Sequence, residues 1–114
     1  KLLMEEKTVY IVQFWIRPDG GERVIDWLNN THLADVVSQP GFLWTRMFAM
    51  EETDEDGWPG YMMMYGVESR ESLETYFNSE ATQRYAKERE ELGLDELLRI
   101  KKFVGTPGVF LKSE

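Results

Sequence analysis

Apolar residues along this chain recur first with the spacing of a strand and then with that of a helix. Residues 8–16 are rich in β-branched and aromatic side chains and run into a loop of Pro, Asp and Gly, which is typical of a strand. Over residues 22–37 the apolar positions are three and four apart, which predicts a helix that Pro40 and Gly41 bring to an end. The chain is therefore expected to begin with a strand followed by a helix.

The middle of the chain predicts a hairpin. Residues 42–50 and 61–67 have the composition of strands, and an acidic loop at 51–57 joins them. The loop carries acids at the spacing of an EF-hand calcium loop, but Met63 stands where the final bidentate Glu belongs. We therefore expect a solvated hairpin loop and no calcium site.

The C-terminal part predicts a second helix and a last strand. Ser69 is a candidate cap, Asn78 interrupts the helix, and residues 80–92 continue it. Residues 100–104 and 109–111 are expected to supply the last strand, with two Gly and one Pro between them. The order β-α-β-β-α-β is that of an α+β, ferredoxin-like sandwich with an antiparallel sheet.

The composition of the chain limits its possible domain number, chemistry and partners. A length of 114 residues with 42% hydrophobic residues predicts one domain, over residues 1–114, with material for one core. The chain has no cysteine, which excludes disulfides and thiol chemistry and fits a cytoplasmic location. No apolar run approaches the ~18 residues of a membrane span, so no membrane partner is expected. The formal charge of −8 opposes nucleic-acid binding, and Arg99, Lys101 and Lys102 are interpreted as a solvated strand face.

Both faces of the predicted strands carry apolar residues. In the first strand the two faces are Val9, Ile11 and Trp15 on one side and Tyr10, Val12, Phe14 and Ile16 on the other. A sheet with both helices on one side leaves its other face open, and an apolar open face needs a second cover. The pattern therefore predicts a homodimer in which two open faces meet, a dimeric α/β barrel.

One set of residues is more specific than the pattern of strands and helices. It comprises Trp27, His32, Pro40-Gly41-Phe42, Arg46, the stretch 57–61, Tyr65, Ser69, Leu73 and Tyr76. This set resembles a family of uncharacterised bacterial proteins within the dimeric α/β-barrel superfamily. Related proteins include antibiotic-biosynthesis monooxygenases that form quinones without a cofactor, polyketide cyclases and muconolactone isomerases. The resemblance implies a pocket between the helices and the sheet of each subunit.

His32 is the only histidine, and the resemblance places it on the first helix, facing the sheet. Its ordinary pKa of about 6.5 suits a general acid or base near neutral pH. Asp35, three positions further on, could orient or charge-stabilise the imidazole. The alternative is a helix-face histidine tied to a backbone carbonyl or to Asp35.

Arg46 and Tyr65 complete the predicted catalytic set with His32. A guanidinium among apolar strand residues could bind a substrate carboxylate or enolate, or pair with a structural acid such as Asp26 or Asp35. The Tyr65 phenol could donate to a developing oxyanion. The predicted substrate-binding residues are Gln13, Trp15, Trp27, Trp44, Tyr61 and Met63. For most of these side chains, packing in the core is the competing interpretation.

These residues predict a cofactor-independent enzyme (a lyase, isomerase, cyclase or oxygenase) that acts on an aromatic, polyketide-like or lactone substrate by proton transfer. Three alternatives stay open: a binding protein with the same pocket and no turnover, a haem-handling protein with His32 as axial ligand, and a purely structural dimer module. A conventional metal site is not expected, because there is no second histidine and no cysteine.

Overall fold

The computed structural model describes residues 5–114, and residues 1–4 of the predicted domain lie outside the described residues. The elements are β1 (Thr8–Ile16), α1 (Glu22–Trp27), a π-helical turn (Leu28–His32), α2 (Leu33–Val37), β2 (Phe42–Thr53), β3 (Pro59–Val67), α3 (Arg70–Phe77), α4 (Glu80–Glu91), a 3₁₀ turn (Asp95–Leu97) and β4 (Leu98–Gly105). Their order is the predicted β-α-β-β-α-β order, and each of the two predicted helices is divided into shorter helical segments.

The four strands form one antiparallel sheet in the order β2-β3-β1-β4. Tyr10 of β1 lies opposite Tyr65 of β3 and Val104 of β4, which sets the register of the central strands. Alternate residues of each strand therefore share a face. The helices cover the face of β1 that carries Tyr10, Val12, Phe14 and Ile16, all of them buried. The predicted α+β, ferredoxin-like fold is confirmed.

The helix predicted over residues 22–37 is interrupted by the π-helical turn. The three residues before His32 are Asn29, Asn30 and Thr31, which have low helix propensity. A π-helical turn accommodates one residue more than an α-helical turn. Leu28 and His32, at the two ends of this turn, are both buried against the rest of the domain.

The hairpin is longer than predicted, because β2 extends to Thr53 and β3 begins at Pro59. The Asp54 carboxylate accepts hydrogen bonds from the backbone N–H groups of Asp56 and Trp58, each 2.9 Å long, and so closes the turn. Arg99 of β4 lies 3.8 Å from the Trp58 ring centroid and 2.6 Å from the Asp54 carboxylate. The hairpin tip is therefore fastened to the opposite edge strand.

The strand predicted at residues 109–111 is not formed. β4 ends at Gly105, opposite Val9, and β1 begins only one residue before Val9. Residues beyond Gly105 therefore have no partner on β1, and Pro107 has no N–H group to donate. Residues 106–114, which we call the C-terminal arm, are irregular, and Val109, Phe110 and Leu111 in it are 83–86% exposed.

The second face of the sheet has no helix on it, and we call it the open face. Its apolar members from the register are Val9, Ile11, Trp15, Trp44, Phe48, Met62, Met64 and Phe103. Phe48 and Phe103 are 40% and 43% exposed. The expectation that both faces of the sheet are apolar is therefore confirmed, and the open face is the uncovered one.

Candidate functional site

A cavity of about 190 Å³ lies between the helices and the sheet. The sheet lines it with Tyr10, Val12, Phe14, Tyr65, Ile100 and Lys102, and the helical layer with His32, Val36, Tyr76, Phe77, Thr82, Tyr85, Ala86 and Arg89. Its volume is below the range of about 300–1,000 Å³ for sites of drug-sized ligands. The cavity therefore suits a compound of one or two rings better than a larger polycycle.

His32 enters the cavity wall because of the π-helical turn. Residues five positions apart on an α-helix point about 140° away from each other, whereas the π-helical i to i+5 geometry aligns them. The imidazole accordingly stacks on the Trp27 indole, with 4.1 Å between ring centroids and 16° between the planes. The Tyr85 ring meets it edge-on at 4.8 Å. Trp27 in turn donates to the Glu88 carboxylate at 2.7 Å, which joins α1 to α4.

The His32 imidazole is held in its neutral form. Burial, and then the positive charges of Arg89 and Lys102, lower its pKa from 6.5 to about 4. Its Nδ1 atom is buried and has no hydrogen-bond partner among the described residues. Asp35 is exposed and makes no hydrogen bond or ion pair with the ring among the described residues, so the expected orienting pair between His32 and Asp35 is absent.

Four tyrosines surround the same space. Burial raises the pKa of Tyr10 to about 12 and raises the pKa values of Tyr65 and Tyr76 further. Burial also raises the pKa of Tyr85, whose hydroxyl accepts a hydrogen bond from Gln39 at 3.2 Å. All four phenols therefore stay protonated at neutral pH and can donate to an oxygen atom in the cavity.

Two cations lie at the cavity. Arg89 comes from α4, and its Nε is 3.3 Å from the Asp95 carboxylate. Lys102 comes from β4, on the strand face that also carries Ile100. Neither Asp nor Glu is among the cavity-lining residues. The cavity is thus locally positive in a chain with a formal charge of −8.

The structure brings some of the predicted site residues together on the helix side of the sheet. His32 and Tyr65 line the cavity, and Trp27 supports His32 without lining it. Met63 is fully buried in the core between sheet and helices. Tyr61 lies on the same side but at the other end of the sheet, in a shallow pocket beside Ile25.

Four predicted site residues lie on the open face, away from the cavity. The register puts Gln13, Trp15, Trp44 and Arg46 there. The Gln13 amide donates to the Phe14 carbonyl, and the Trp44 indole donates to Glu6 at 2.9 Å. Arg46 is exposed and lies over the Phe48 ring at 5.3 Å, without an ion pair among the described residues. Arg46 and His32 therefore do not line one cavity.

Arg89 and Lys102 are the cavity residues that the sequence analysis missed. Arg89 is four positions after Tyr85, so both share one side of α4, but the high charge of this helix suggested a solvated element. Strand alternation separates Lys102 from Arg99 and Lys101, which lie on the open face. Treating the three as one basic patch obscured that difference.

A haem does not fit these residues. The cavity of about 190 Å³ is smaller than the range for drug-sized ligands, and a haem is at least as large as such a ligand. Within residues 5–114, no group of three or more His, Asp or Glu side chains is arranged to hold a metal ion.

No helix within residues 5–114 is both long and apolar enough to cross a membrane.

The family of this chain follows from its sequence. A family profile described as "Domain of unknown function (DUF4286)" matches residues 7–93. The match spans most of the chain, so the protein belongs to this family. A search of curated proteins found no match to the sequence.

Solved structures with the same fold include several small oxygenases. SnoaB from Streptomyces nogalater, a cofactor-independent oxygenase, is 16% identical, with a TM-score of 0.65 over 95% of this chain and 99% of its own. A monooxygenase from Streptomyces coelicolor, solved with the ligand nanaomycin D, is 22% identical, with a TM-score of 0.64 over 95% and 94%. HapK from Hahella chejuensis is 7% identical, with a TM-score of 0.69 over 94% and 98%. At these identities the likeness shows the fold.

Proposed function

We propose that this protein is a cofactor-independent enzyme that acts on a small aromatic or polyketide-like compound in the cavity beside His32. The observation that carries the proposal is the cavity itself, which combines aromatic walls, four protonated phenols and one buried neutral imidazole. A largely apolar pocket with a few convergent polar groups of perturbed pKa is the usual form of a small-molecule site. The oxygenase activity in the names of two solved neighbours favours an oxygenase over a lyase, isomerase or cyclase.

The proposed reaction begins with a proton transfer from the substrate to His32. The neutral His32 imidazole accepts a proton from a phenol or an activated C–H group of the substrate, and Tyr65 donates a hydrogen bond to the oxyanion that develops. The resulting anion reacts with molecular oxygen, which is the oxidant. Overall, a CH₂ group, which a phenol presents in its keto tautomer, becomes a C=O group; one oxygen atom of O₂ enters the product, and the other leaves as water with the two hydrogens. The balance requires no added reductant.

A second candidate function is ligand binding without turnover. Its support is the low pKa of His32, about 4, which makes the imidazole a weak base in the empty cavity. An anionic substrate would raise this pKa by offsetting the charges of Arg89 and Lys102, whereas a neutral ligand would leave it low. The two functions therefore differ in whether the bound compound restores the basicity of His32.

We also propose a homodimer formed through the open face, with a cytoplasmic location that rests on the absence of cysteine. The uncovered apolar side chains of the open face support this proposal. The C-terminal arm adds three more exposed apolar residues, which a second copy could cover. A dimer of this kind would leave the helix-side cavity of each subunit in place.

Turnover can be tested with naphthols and other phenols of one or two rings as substrates, by oxygen uptake and by quinone absorbance, without added cofactor. His32→Phe preserves the aromatic stack on Trp27 and removes the base, so activity should fall about 10²–10⁴-fold. Lys87→Gln, an exposed change on α4, should leave it unchanged. Thermal stabilisation by these compounds without oxygen uptake would favour the binding protein. If no compound shifts the melting temperature, the cavity is not a ligand site.

A further inference from the structure

The charge at the cavity is opposite to that of the chain as a whole. The chain has 21 acidic and 13 basic residues, yet Arg89 and Lys102 are the only charged side chains among the cavity-lining residues. Two like charges brought to one partly buried space repel each other and lose hydration. A purely structural cavity would gain nothing from this arrangement.

Within the described part of the chain, only one of the two cations has an acidic partner, and that partner leaves part of the cation's charge available. Arg89 is bound through Nε by Asp95, which leaves the terminal nitrogens of its guanidinium without a partner among residues 5–114. Lys102 makes no ion pair with any described carboxylate, and burial together with the charge of Arg89 lowers its pKa. The carboxylate of Glu88, which is also on α4, accepts a hydrogen bond from the indole N–H of Trp27.

The positions of the two cations define where an anion would sit. Arg89 is largely buried, with 20% of its side chain exposed, whereas Lys102 is the more exposed of the two. Both line the same cavity as the His32 imidazole. The planar guanidinium suits a carboxylate, which can take two parallel hydrogen bonds from it.

We infer that the ligand of this cavity is an aromatic carboxylate of one or two rings, whose carboxylate binds between Arg89 and Lys102 while its ring lies among the tyrosines and His32. This inference rests on the proposed function and narrows its substrate to an anionic class. The cavity volume of about 190 Å³ accommodates a single ring with its substituents. Burial is the largest cause of the low pKa of His32, and the charges of Arg89 and Lys102 lower it further. The bound carboxylate offsets these two charges, so the substrate itself makes the imidazole a stronger base.

The test compares salicylate with salicylamide, which has the same ring and hydroxyl group but no carboxylate. Binding to the full chain is measured by calorimetry. Salicylate should bind at least about tenfold more tightly than salicylamide, because a hydrogen bond to a charged group is stronger than one between neutral groups. Lys102→Gln and Arg89→Gln should each reduce this preference severalfold. Lys101→Gln, its neighbour on the open face, and Lys87→Gln on α4 should preserve it.

The possible outcomes separate the inference of a carboxylate ligand from the proposed enzymatic function. Equal binding of the two compounds, or a preference that persists in both Lys102→Gln and Arg89→Gln, overturns the inference and leaves the cavity as a neutral-ligand site. Binding of neither compound at millimolar concentration overturns the inference. A salicylate preference that depends on both cations, in a protein that consumes no oxygen with any aromatic carboxylate, upholds the inference and contradicts the enzymatic function.

Discussion

One imidazole carries most of the acid–base chemistry available in the cavity. Burial and two neighbouring cations keep His32 neutral, and its buried Nδ1 has no partner among the described residues. An unpaired buried polar atom costs stability, roughly 1–3 kcal/mol. Such a cost is typical of a group kept for a ligand. The lowered pKa of His32 makes the stability of the fold depend on the protonation of this residue.

The first prediction concerns acid stability. The folded pKa of His32, about 4, is below its unfolded value of 6.5, so the unfolded state binds more protons between these two values. Stability from this group is therefore complete above pH 6.5 and is lost as the pH falls towards 4. At about 1.36 kcal/mol per pKa unit, the loss is about 2 kcal/mol at pH 5 and about 3 kcal/mol at pH 4.

Urea unfolding of the protein and of His32→Phe at a series of pH values measures this loss. Subtracting one curve from the other cancels the titration of the 21 acidic residues. The difference should fall as the pH is lowered from 7 to 4. A flat difference would mean that His32 titrates alike in the folded and unfolded states.

Sequence reasoning found some cavity residues and missed others for physical reasons. His32 and Tyr65 were found because a lone imidazole and a strand phenol are chemically distinctive. Arg89 and Lys102 were missed because charged residues on an acidic helix and on an edge strand are usually solvated. Arg46 was placed in the site because a guanidinium among apolar strand residues suggested a buried charge, but strand alternation puts it on the open face.

Among the elements, the π-helical turn at Leu28–His32 has the largest effect on the site. It aligns Trp27 with His32, and it directs the imidazole into the cavity. The apolar spacing over residues 22–37 predicted a helix there, but spacing alone cannot register one additional residue in a turn. Single π-helical turns inside α-helices often occur at functional sites, in agreement with this location.

The second prediction is that inserting one alanine after Asn30 displaces His32. Asn30 is exposed, so the added side chain itself meets no core packing, but it places His32 six positions after Trp27, about 120° away from it around an α-helix. His32 should leave the stack on Trp27, its pKa should return towards 6.5, and salicylate binding should be lost.

Asn30→Ala is the matched control, since it changes the same exposed position without changing the chain length. It should retain both the low His32 pKa and ligand binding. An insertion variant that is folded by circular dichroism and still shows a His32 pKa near 4 would show that the turn does not position this residue.

At the scale of the whole molecule, the element order and the two-sided apolar strands predicted the fold correctly. Those features depend on local periodicity and on which faces must be covered, and both are visible in the sequence. The sequence did not show that residues 109–111 would form no strand, because this depends on where β1 begins and so on the register of a distant strand. The open face and the C-terminal arm leave apolar surface that a second subunit could cover.

The third prediction is that Phe48→Glu gives a monomer, whereas Leu92→Glu does not. Both residues are exposed in the single chain, at 40% and 45%, but Phe48 lies on the open face and Leu92 lies at the end of α4. A charge introduced into an apolar interface costs several kcal/mol, whereas a charge on a solvated surface costs little. Light scattering after size-exclusion chromatography measures the masses. A monomeric unmodified protein at micromolar concentration would contradict the proposed dimer.

The central claim is that the cavity beside His32 is the ligand site of this protein. Because His32 is the only histidine, its ring signals in an NMR spectrum of histidine-labelled protein need no assignment. We predict that saturating salicylate shifts these signals and raises the His32 pKa from its free value of about 4. The claim would be contradicted if salicylate bound while the His32 signals and pKa stayed unchanged, or if neither salicylate nor any of the naphthols bound.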